Sequence, residues 1–290
     1  MRARIGFIVM ATAVALTAAP ATSAWAGDGH TGDGHGGTHV LDVTAVNTPD
    51  PRYELSTTSL RAGLETVRLH NKGTEPHQVQ LLRLHDGTSL SDLSAVLANP
   101  KGDPLTVADA TGGSNTVLPG GEQVSYVNLR AGNYVALCFV TDEKNVPHFA
   151  EGMIEQFSVT GPTRRGKPDA EGTITGFSFG FTIPAHVDGD AIYRFKNLSD
   201  TDTHELTIEK LVPGKTAEDF SNVISGKTPG NPNDIATPAG GAGAVAPRGV
   251  DWVQLHLEAG DYIAVCFVPD PEANGAPHAA LGMVQGFSVE

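Results

Sequence analysis

The sequence predicts an all-β protein built from two tandem Greek-key β-sandwiches, each with one short inserted helix. Three observations lead to this prediction. The second half of the 290-residue chain repeats the pattern of the first half. Within each half, apolar and polar residues alternate with a period of two over short segments, and turns rich in glycine and proline separate those segments. A repeat of roughly 120–130 residues is too long for a solenoid and suits a domain.

The repeat is visible at five places along the chain, and the offset between matching segments drifts by only a few residues. The matching segments are 67–71 with 193–197, 77–81 with 204–208, 89–97 with 216–224, 129–134 with 257–262, and 152–159 with 282–289. This alignment predicts one domain over residues 40–160 and a second over residues 171–290. Residues 161–170, which are basic and rich in glycine and proline, are predicted to form the linker.

The strand prediction places particular side chains on inward faces. In the first half, His77, Val79 and Leu81 alternate with glutamines, so the histidine shares a face with the apolar residues. His204 begins the same pattern in the second half. A later strand in each half ends at a cysteine, Cys138 or Cys266, which lies on the same face as an alanine and a tyrosine before it.

The helix predictions rest on capping residues. Ser89 and Thr216 each precede a periodic apolar segment, and an aspartate follows three residues later. This spacing is a weak capping-box pattern, so one short helix is expected to begin at each position.

The N-terminal residues have the features of an export signal. Arg2 and Arg4 precede an apolar segment, and Ala24-Trp25-Ala26 is a small-x-small cleavage site. Residues 1–26 are therefore predicted to be a secretory signal peptide, and the protein is expected to be secreted or periplasmic, without a membrane span.

Residues 27–39 follow the predicted signal and contain His30, His35 and His39 among glycines. A flexible tail is expected there, with loose metal binding as the alternative. The formal charge of −14 disfavours partners such as nucleic acid and anionic membranes, because both attract basic proteins.

Each half carries the same ordered set of residues that can bind a metal: a strand histidine, a cysteine, a loop histidine and a methionine. Two imidazoles and a thiolate in a trigonal array, with a weak axial thioether, form the ligand set of blue copper sites. The predicted metal ligands are His77, Cys138, His148, Met153, His204, Cys266, His278 and Met283.

These motifs resemble the type 1 copper motif of the cupredoxins, the plastocyanin- and azurin-like proteins. The order His77…Cys138-x9-His148-x4-Met153 carries the resemblance, and the second half repeats it with eleven residues between cysteine and histidine. The resemblance covers nearly the whole chain after the predicted signal. It implies two cupredoxin-like domains with one type 1 copper site each. The long cysteine-to-histidine loops and the inserted helix depart from plastocyanin.

Two other interpretations of the cysteines remain open at this stage. Cys138 and Cys266 are the only cysteines, and two cysteines in an exported protein could form a disulfide. Alternatively, both could be small buried apolar residues in domains that bind no metal.

The sequence favours an electron carrier over an enzyme. Two-domain cupredoxins include laccases and nitrite reductases, which bind further copper through His-x-His pairs or histidines beside the copper cysteine. Here the cysteines are flanked by Leu137 and Phe139 and by Val265 and Phe267. The expectation is therefore a non-enzymatic electron carrier whose partners are copper ions and redox proteins. A copper buffering or delivery protein is the first alternative, and a metal-free structural repeat protein is the second.

Overall fold

A computed structural model describes residues 40–99 and 101–290. The described chain is dominated by β-strands and contains two α-helices, so the predicted all-β fold class is confirmed. The predicted signal peptide, residues 1–26, and the tail with His30, His35 and His39 lie outside the described residues. None of the described helices is long and apolar enough to cross a membrane.

The first unit consists of eight strands and one helix. They are β1 (Val40–Val46), β2 (Arg52–Leu55), β3 (Ser59–Asn71), β4 (His77–Leu84), α1 (Leu90–Leu97), β5 (Ala108–Val117), β6 (Glu122–Leu129), β7 (Gly132–Leu137) and β8 (Ile154–Arg164). The second unit repeats this order with a short extra hairpin. Its elements are β9 (Gly172–Phe177), β10 (Gly180–Thr182), β11 (Ile192–Asn197), β12 (His204–Leu211), α2 (Ala217–Ile224), β13 (Ala236–Val245), β14 (Val250–Gln254), β15 (Gly260–Val265), β16 (Pro269–Asp270), β17 (Ala276–Pro277) and β18 (Val284–Val289).

Each unit is a sandwich of two layers. In the first unit β2, β1, β3 and β6 form one layer, and β8, β7, β4 and β5 form the other. Strand β3 joins the layers, because its beginning pairs with β8 and its end pairs with β1. The second unit has β10, β9, β11 and β14 in one layer and β13, β12, β15 and β18 in the other. Apolar residues from both layers fill each interior, where Tyr134 and Tyr262 are among the largest buried side chains.

The two helices begin where the sequence predicts. Ser89 and Thr216 are the N-caps, and in both cases the complete capping box with the following aspartate is formed. Each helix buries one apolar residue, Leu93 or Phe220, against the outer face of the layer that carries the cysteine. The helices therefore cover the second face of that layer, which would otherwise expose apolar side chains.

Both layers continue from one unit into the other. Strand β6 pairs with β14, and β5 pairs with β13, which gives a single sheet path of strands through the whole molecule. Strand β8 extends through Arg164, so the first four residues of the segment predicted as a linker are part of a strand. These continuous layers fix the position of the second unit beside the first.

Buried polar side chains complete this junction. Asp251 in the second unit accepts a hydrogen bond from the Gly113 amide at 2.8 Å, and Gln123 in the first unit accepts one from the Gly241 amide at 3.1 Å. Gln80 accepts a hydrogen bond from the Ala244 amide at 2.7 Å and donates one to its carbonyl at 2.9 Å. Because unpaired buried polar groups are costly, these contacts favour one arrangement of the units.

Candidate metal centres

The first unit brings three of the predicted ligands together. His77 opens β4, Cys138 follows the end of β7, and His148 begins a short 3₁₀ turn before β8. The Nδ1 atoms of the two histidines are 3.0 Å apart, and the cysteine Sγ lies 3.9 Å from Nδ1 of His77 and 3.6 Å from Nδ1 of His148. All three side chains are completely buried.

The second unit reproduces this arrangement. The Nδ1 atoms of His204 and His278 are 3.1 Å apart, and Cys266 Sγ lies 3.8 Å and 3.4 Å from them. In the described part of the chain, these two His-Cys-His sets are the groups of three or more His, Cys, Asp or Glu residues whose donor atoms converge.

The donor triangles have a size that suits a transition metal. A point equidistant from the three donors of either triangle lies about 2 Å from each, close to the usual length of metal–imidazole bonds. Both cysteines are free thiols buried in separate cores, so the disulfide interpretation does not hold. Two imidazoles and a sulfur in such a triangle fit copper.

The backbone holds the loop histidine in the same way in both units. The amide of His148 donates to Val140 O at 2.8 Å, and the amide of the next residue donates to Cys138 O at 3.0 Å. In the second unit the amides of His278 and the following alanine make the matching bonds at 3.0 Å and 2.7 Å. The two additional loop residues of the second unit are accommodated by the β16–β17 hairpin.

The two methionines lie next to the cysteines. Met153 O accepts the Cys138 amide at 3.2 Å, and Met283 O accepts the Cys266 amide at 3.3 Å; both methionine side chains are fully buried in the same cores as the cysteines. The glycine before each one has a positive φ, 116° for Gly152 and 111° for Gly282, which other residues adopt with strain. This turn brings the methionine back toward the cysteine from the histidine loop.

Burial keeps the imidazoles neutral. It lowers the pKa of His77 to about 3, with the neighbouring His148 adding to the effect, and it lowers the pKa of His204 to about 4, with His278 adding to it. The pKa values of His148 and His278 are lowered by the same cause. A neutral imidazole keeps a lone pair for a metal at neutral pH, so protonation does not compete with metal binding there.

Burial also affects the thiols. It raises the pKa of Cys138 to about 12 and raises the pKa of Cys266 still further. In the metal-free protein both groups are therefore protonated at neutral pH. Because the thiolate is the form that binds a metal, loading either site releases a proton.

Sequence reasoning missed several polar residues that surround the donors. Asn47 Oδ1 lies 2.9 Å from His77 Nε2, and the buried Tyr53 hydroxyl donates to the Gln78 carbonyl and lies within hydrogen-bonding reach of Cys138. In the second unit Glu205 accepts the Phe267 amide at 2.9 Å. Glu205 follows His204 directly and lies on the face that alternation assigns to polar residues, so the sequence carries no signal for its burial.

Comparisons with known proteins leave the family open at the sequence level. No family model matches the chain, and no curated protein matches it. Solved structures do match. The dithionite-reduced auracyanin of Roseiflexus castenholzii is 19% identical, with a TM-score of 0.28, and the match covers 43% of this chain and 100% of that one. Auracyanin A of Chloroflexus aurantiacus, a blue copper protein, is 18% identical over 43% of this chain and 100% of that one, with a TM-score of 0.29.

Two other matches span both units. A multicopper oxidase is 14% identical, with a TM-score of 0.23, and the match covers 87% of this chain and 88% of that one. The copper nitrite reductase of Thermus scotoductus is 14% identical over 87% of this chain and 61% of that one, with a TM-score of 0.24. These are distant likenesses, with TM-scores below 0.3, and the two-unit β-sandwich architecture rests on the strand layers described above.

The sequence predicts that the protein is not an enzyme, and this prediction is wrong. A multicopper oxidase and a nitrite reductase are enzymes, and both match this chain across its two units. Leu137 and Phe139 beside Cys138, and Val265 and Phe267 beside Cys266, describe only the immediate neighbours of two ligands. Their identity does not exclude catalysis by a protein of this fold.

Proposed function

We propose that the protein is an exported copper protein that transfers electrons through one type 1 copper site in each unit. The proposed ligands are His77, Cys138, His148 and Met153 in the first unit and His204, Cys266, His278 and Met283 in the second. The proposed domains are residues 40–160 and 171–290. Export rests on the predicted signal peptide at residues 1–26.

One observation carries the proposal: two buried triangles, each of two imidazole nitrogens and a cysteine sulfur, have nearly the same dimensions in two independent cores. A structural role for the cysteines alone would not require two histidine rings to turn their Nδ1 atoms toward the same point. Nor would it require those histidines to be buried, because an uncompensated imidazole prefers water.

The protein supplies a rigid and dry environment for the metal. Strand β4 or β12 fixes the first histidine. The second histidine is fixed by two backbone hydrogen bonds, one from its own amide to the carbonyl two residues after the cysteine and one from the next amide to the carbonyl of the cysteine. Bound copper would supply one-electron redox chemistry. Since the donors are held by the sheet before any metal arrives, little rearrangement is needed when the charge of the site changes.

Addition of Cu(II) to the purified metal-free protein tests the proposal. We expect an intense visible thiolate-to-copper absorption that saturates at two coppers per chain. Cys138→Ser and Cys266→Ser should each remove about half of the absorption, and the double variant should remove all of it. Stoichiometric binding without this absorption would favour copper buffering or delivery. Absence of stoichiometric binding would favour a metal-free structural protein and would refute the proposal.

A further inference from the structure

One sheet edge of the second unit lacks the strand that closes the matching edge of the first unit. In the first unit the beginning of β3 runs parallel to β8, with Ser59–Arg61 opposite Ser158–Thr160. The amide of Ser158 donates to Thr58 O at 2.9 Å. In the second unit the matching strand is β18, which pairs with β15 and ends the strand order of its layer in the described chain. The other side of β18 is therefore an open edge.

The chain of the second unit passes this edge without pairing to it. Strand β3 has 13 residues, whereas its counterpart β11 has 6. Residues 185–187, which match Ser59–Arg61 in the repeat, belong to no described strand. Their position is fixed, because Val187 is buried in the core and the Asp188 amide donates to the Tyr193 hydroxyl at 2.7 Å. The second unit thus does not close its own edge.

A groove is left between this segment and β18. It has a volume of about 400 Å³ and lies between residues 181–185 and residues 285–288. The ring of Phe287 lines the groove and is only part-buried, whereas its counterpart Phe157 is 2% exposed. Both rings stack on a tyrosine of the neighbouring strand, at 5.6 Å and 5.3 Å between centroids. In the first unit Leu60 of the pairing strand belongs to the same core as Phe157, and the second unit has no such cover.

The open edge has none of the features that protect edge strands. Residues 172–187 and 282–289 contain no Asp, Glu, Lys or Arg, in a chain with 33 acidic and 19 basic residues. By contrast, the edge strand β2 of the first unit is only four residues long and carries the Arg52–Glu54 ion pair at 3.0 Å. Charges, prolines and shortness are the usual means by which edges avoid further pairing. Strand β18 has six residues without charge or proline, so it can accept another strand.

We propose that this groove binds an extended segment of another protein, which adds to the β18 edge as a parallel strand. The strand at the matching place in the first unit indicates which segment fits, because buried Leu60 stands there between exposed Ser59 and Arg61. An apolar side chain at the central position would cover Phe287. The main chain of the segment would pair with the backbone groups of Gly286 and Ser288, which alternate outward as Ser158 does in β8. The proposal goes beyond electron transfer and does not depend on copper.

The occupant is a segment of a partner and not a part of this chain. Residues 27–39 contain no apolar side chain, so they cannot supply the central anchor. In a second copy of the chain, Ser59–Arg61 is already paired with β8. Pairing between two β18 edges would bring together two chains that each carry a formal charge of −14, which repel each other. An uncharged extended segment meets none of these obstacles.

A peptide with the sequence of the first unit's own pairing strand tests the groove. The peptide contains residues 56–64, Ser-Thr-Thr-Ser-Leu-Arg-Ala-Gly-Leu, with both ends blocked. It is titrated into the isotope-labelled, metal-free full chain, and amide chemical shifts are recorded. We expect shifts centred on residues 181–185 and 285–288. The same peptide with Leu60→Asp should bind at least tenfold more weakly, because it lacks the apolar anchor. Equal binding of both peptides, or shifts centred elsewhere, would overturn the proposal.

A fusion protein makes an absence of binding decisive. Residues 56–64 are appended after Glu290 through a Gly/Ser linker of about twenty residues, which spans the length of β18 and gives an effective concentration in the millimolar range. We expect the Ser288 amide to exchange with solvent at least tenfold more slowly than in the same fusion with Leu60→Asp. Equal exchange rates in the two fusions would overturn the proposal.

Two pairs of variants locate the contact. Ser288→Pro removes the outward amide and should weaken peptide binding at least tenfold, whereas Ser288→Ala keeps the amide and should weaken it less than twofold. Ala185→Arg places a charge in the groove beside the arginine of the peptide and should also weaken binding at least tenfold. Ala170→Arg adds the same charge at an exposed position outside the groove and should weaken it less than twofold. Equal affinities within either pair would overturn the proposal.

Sedimentation equilibrium separates a partner segment from a second copy of this chain. We expect the unmodified protein and Ser288→Pro to be monomers at the concentrations at which the peptide binds. A dimer of the unmodified protein that Ser288→Pro dissociates would assign the β18 edge to a second copy and would overturn the proposal.

Discussion

Asp251, a fully buried residue of the second unit, accepts a hydrogen bond from the amide of Gly113 in the first unit at 2.8 Å. A Cβ atom at the preceding Gly112, which has a φ of 98°, would lie 2.5 Å from the Asp251 carboxylate. A matching contact runs from the first unit to the second. Gln123 accepts a hydrogen bond from the amide of Gly241, and a Cβ atom at the preceding Gly240 would collide with the Gln123 side chain. A glycine pair in each unit thus admits a polar side chain of the other unit, which makes the junction specific.

Replacement of Asp251 by alanine should destabilise the protein. The change leaves the buried Gly113 amide without its acceptor, which costs about 1–3 kcal/mol in free energy of unfolding. Denaturant unfolding of the metal-free protein measures it. Asp50→Ala, at an exposed position, should change stability by less than about 0.5 kcal/mol. A loss no larger than that of the control would show that Asp251 does not stabilise the junction.

The buried thiols should react slowly. Because burial raises the pKa of Cys138 to about 12 and that of Cys266 further, almost no thiolate is present at neutral pH. We expect both thiols of the native metal-free protein to react with a disulfide reagent at least a hundredfold more slowly than in denaturant. Fast reaction of either thiol under native conditions would contradict the burial described here.

Tyr53 should stabilise the first site specifically. Its hydroxyl donates to the buried Gln78 carbonyl, so Tyr53→Phe removes a donor and should cost about 1 kcal/mol in free energy of unfolding. Tyr126→Phe is the matched control, since that side chain is only part-buried, and it should cost less than half as much. In copper-loaded protein, Tyr53→Phe should alter the spectrum of the first site and leave the second unchanged. Equal effects on both sites would contradict this assignment.

The stability of the protein should depend on pH through Glu209. Burial raises the pKa of Glu209 to about 8 in the folded protein, compared with about 4.5 unfolded, so the folded state holds a proton that the unfolded state releases between these values. Glu209 therefore makes the free energy of unfolding fall as the pH rises from about 4.5 to about 8, and below that range its contribution is fully present. The matching residue in the first unit is Leu82.

Unfolding free energies between pH 6.5 and 8 test this dependence, because the lowered histidine pKa values act mainly below that range. Glu209→Gln should gain stability relative to the unmodified protein as pH rises, by at most about 1.4 kcal/mol per pH unit. Glu218→Gln, at an exposed helix position, should show no such trend. A constant difference between Glu209→Gln and the unmodified protein would show that Glu209 does not titrate as described.

The sequence predicted the fold because local signals agree with the repeat. Alternation placed His77 and Val79 on one strand, and the capping boxes at Ser89 and Thr216 located both helices. These signals depend on residues near one another in the chain, so period and capping rules detect them. The duplication supports the same prediction, because the pattern occurs in both halves of the chain.

The junction and the surroundings of the sites could not be predicted in the same way. Pairing of β5 with β13 and the contact of Asp251 with Gly113 join residues more than a hundred positions apart. Tyr53 reaches Cys138 only through the packing of two layers. The exclusion of an enzyme also failed, because the absence of His-x-His pairs and of histidines beside the cysteines does not exclude catalysis.

Diffraction from copper-loaded crystals on both sides of the copper absorption edge tests the central claim most directly. We predict two anomalous peaks per chain. One should lie within bonding distance of Nδ1 of His77, Nδ1 of His148 and Sγ of Cys138, and the other should occupy the matching place between His204, His278 and Cys266. Copper bound elsewhere, or donor triangles that stay empty at saturating copper, would contradict the account.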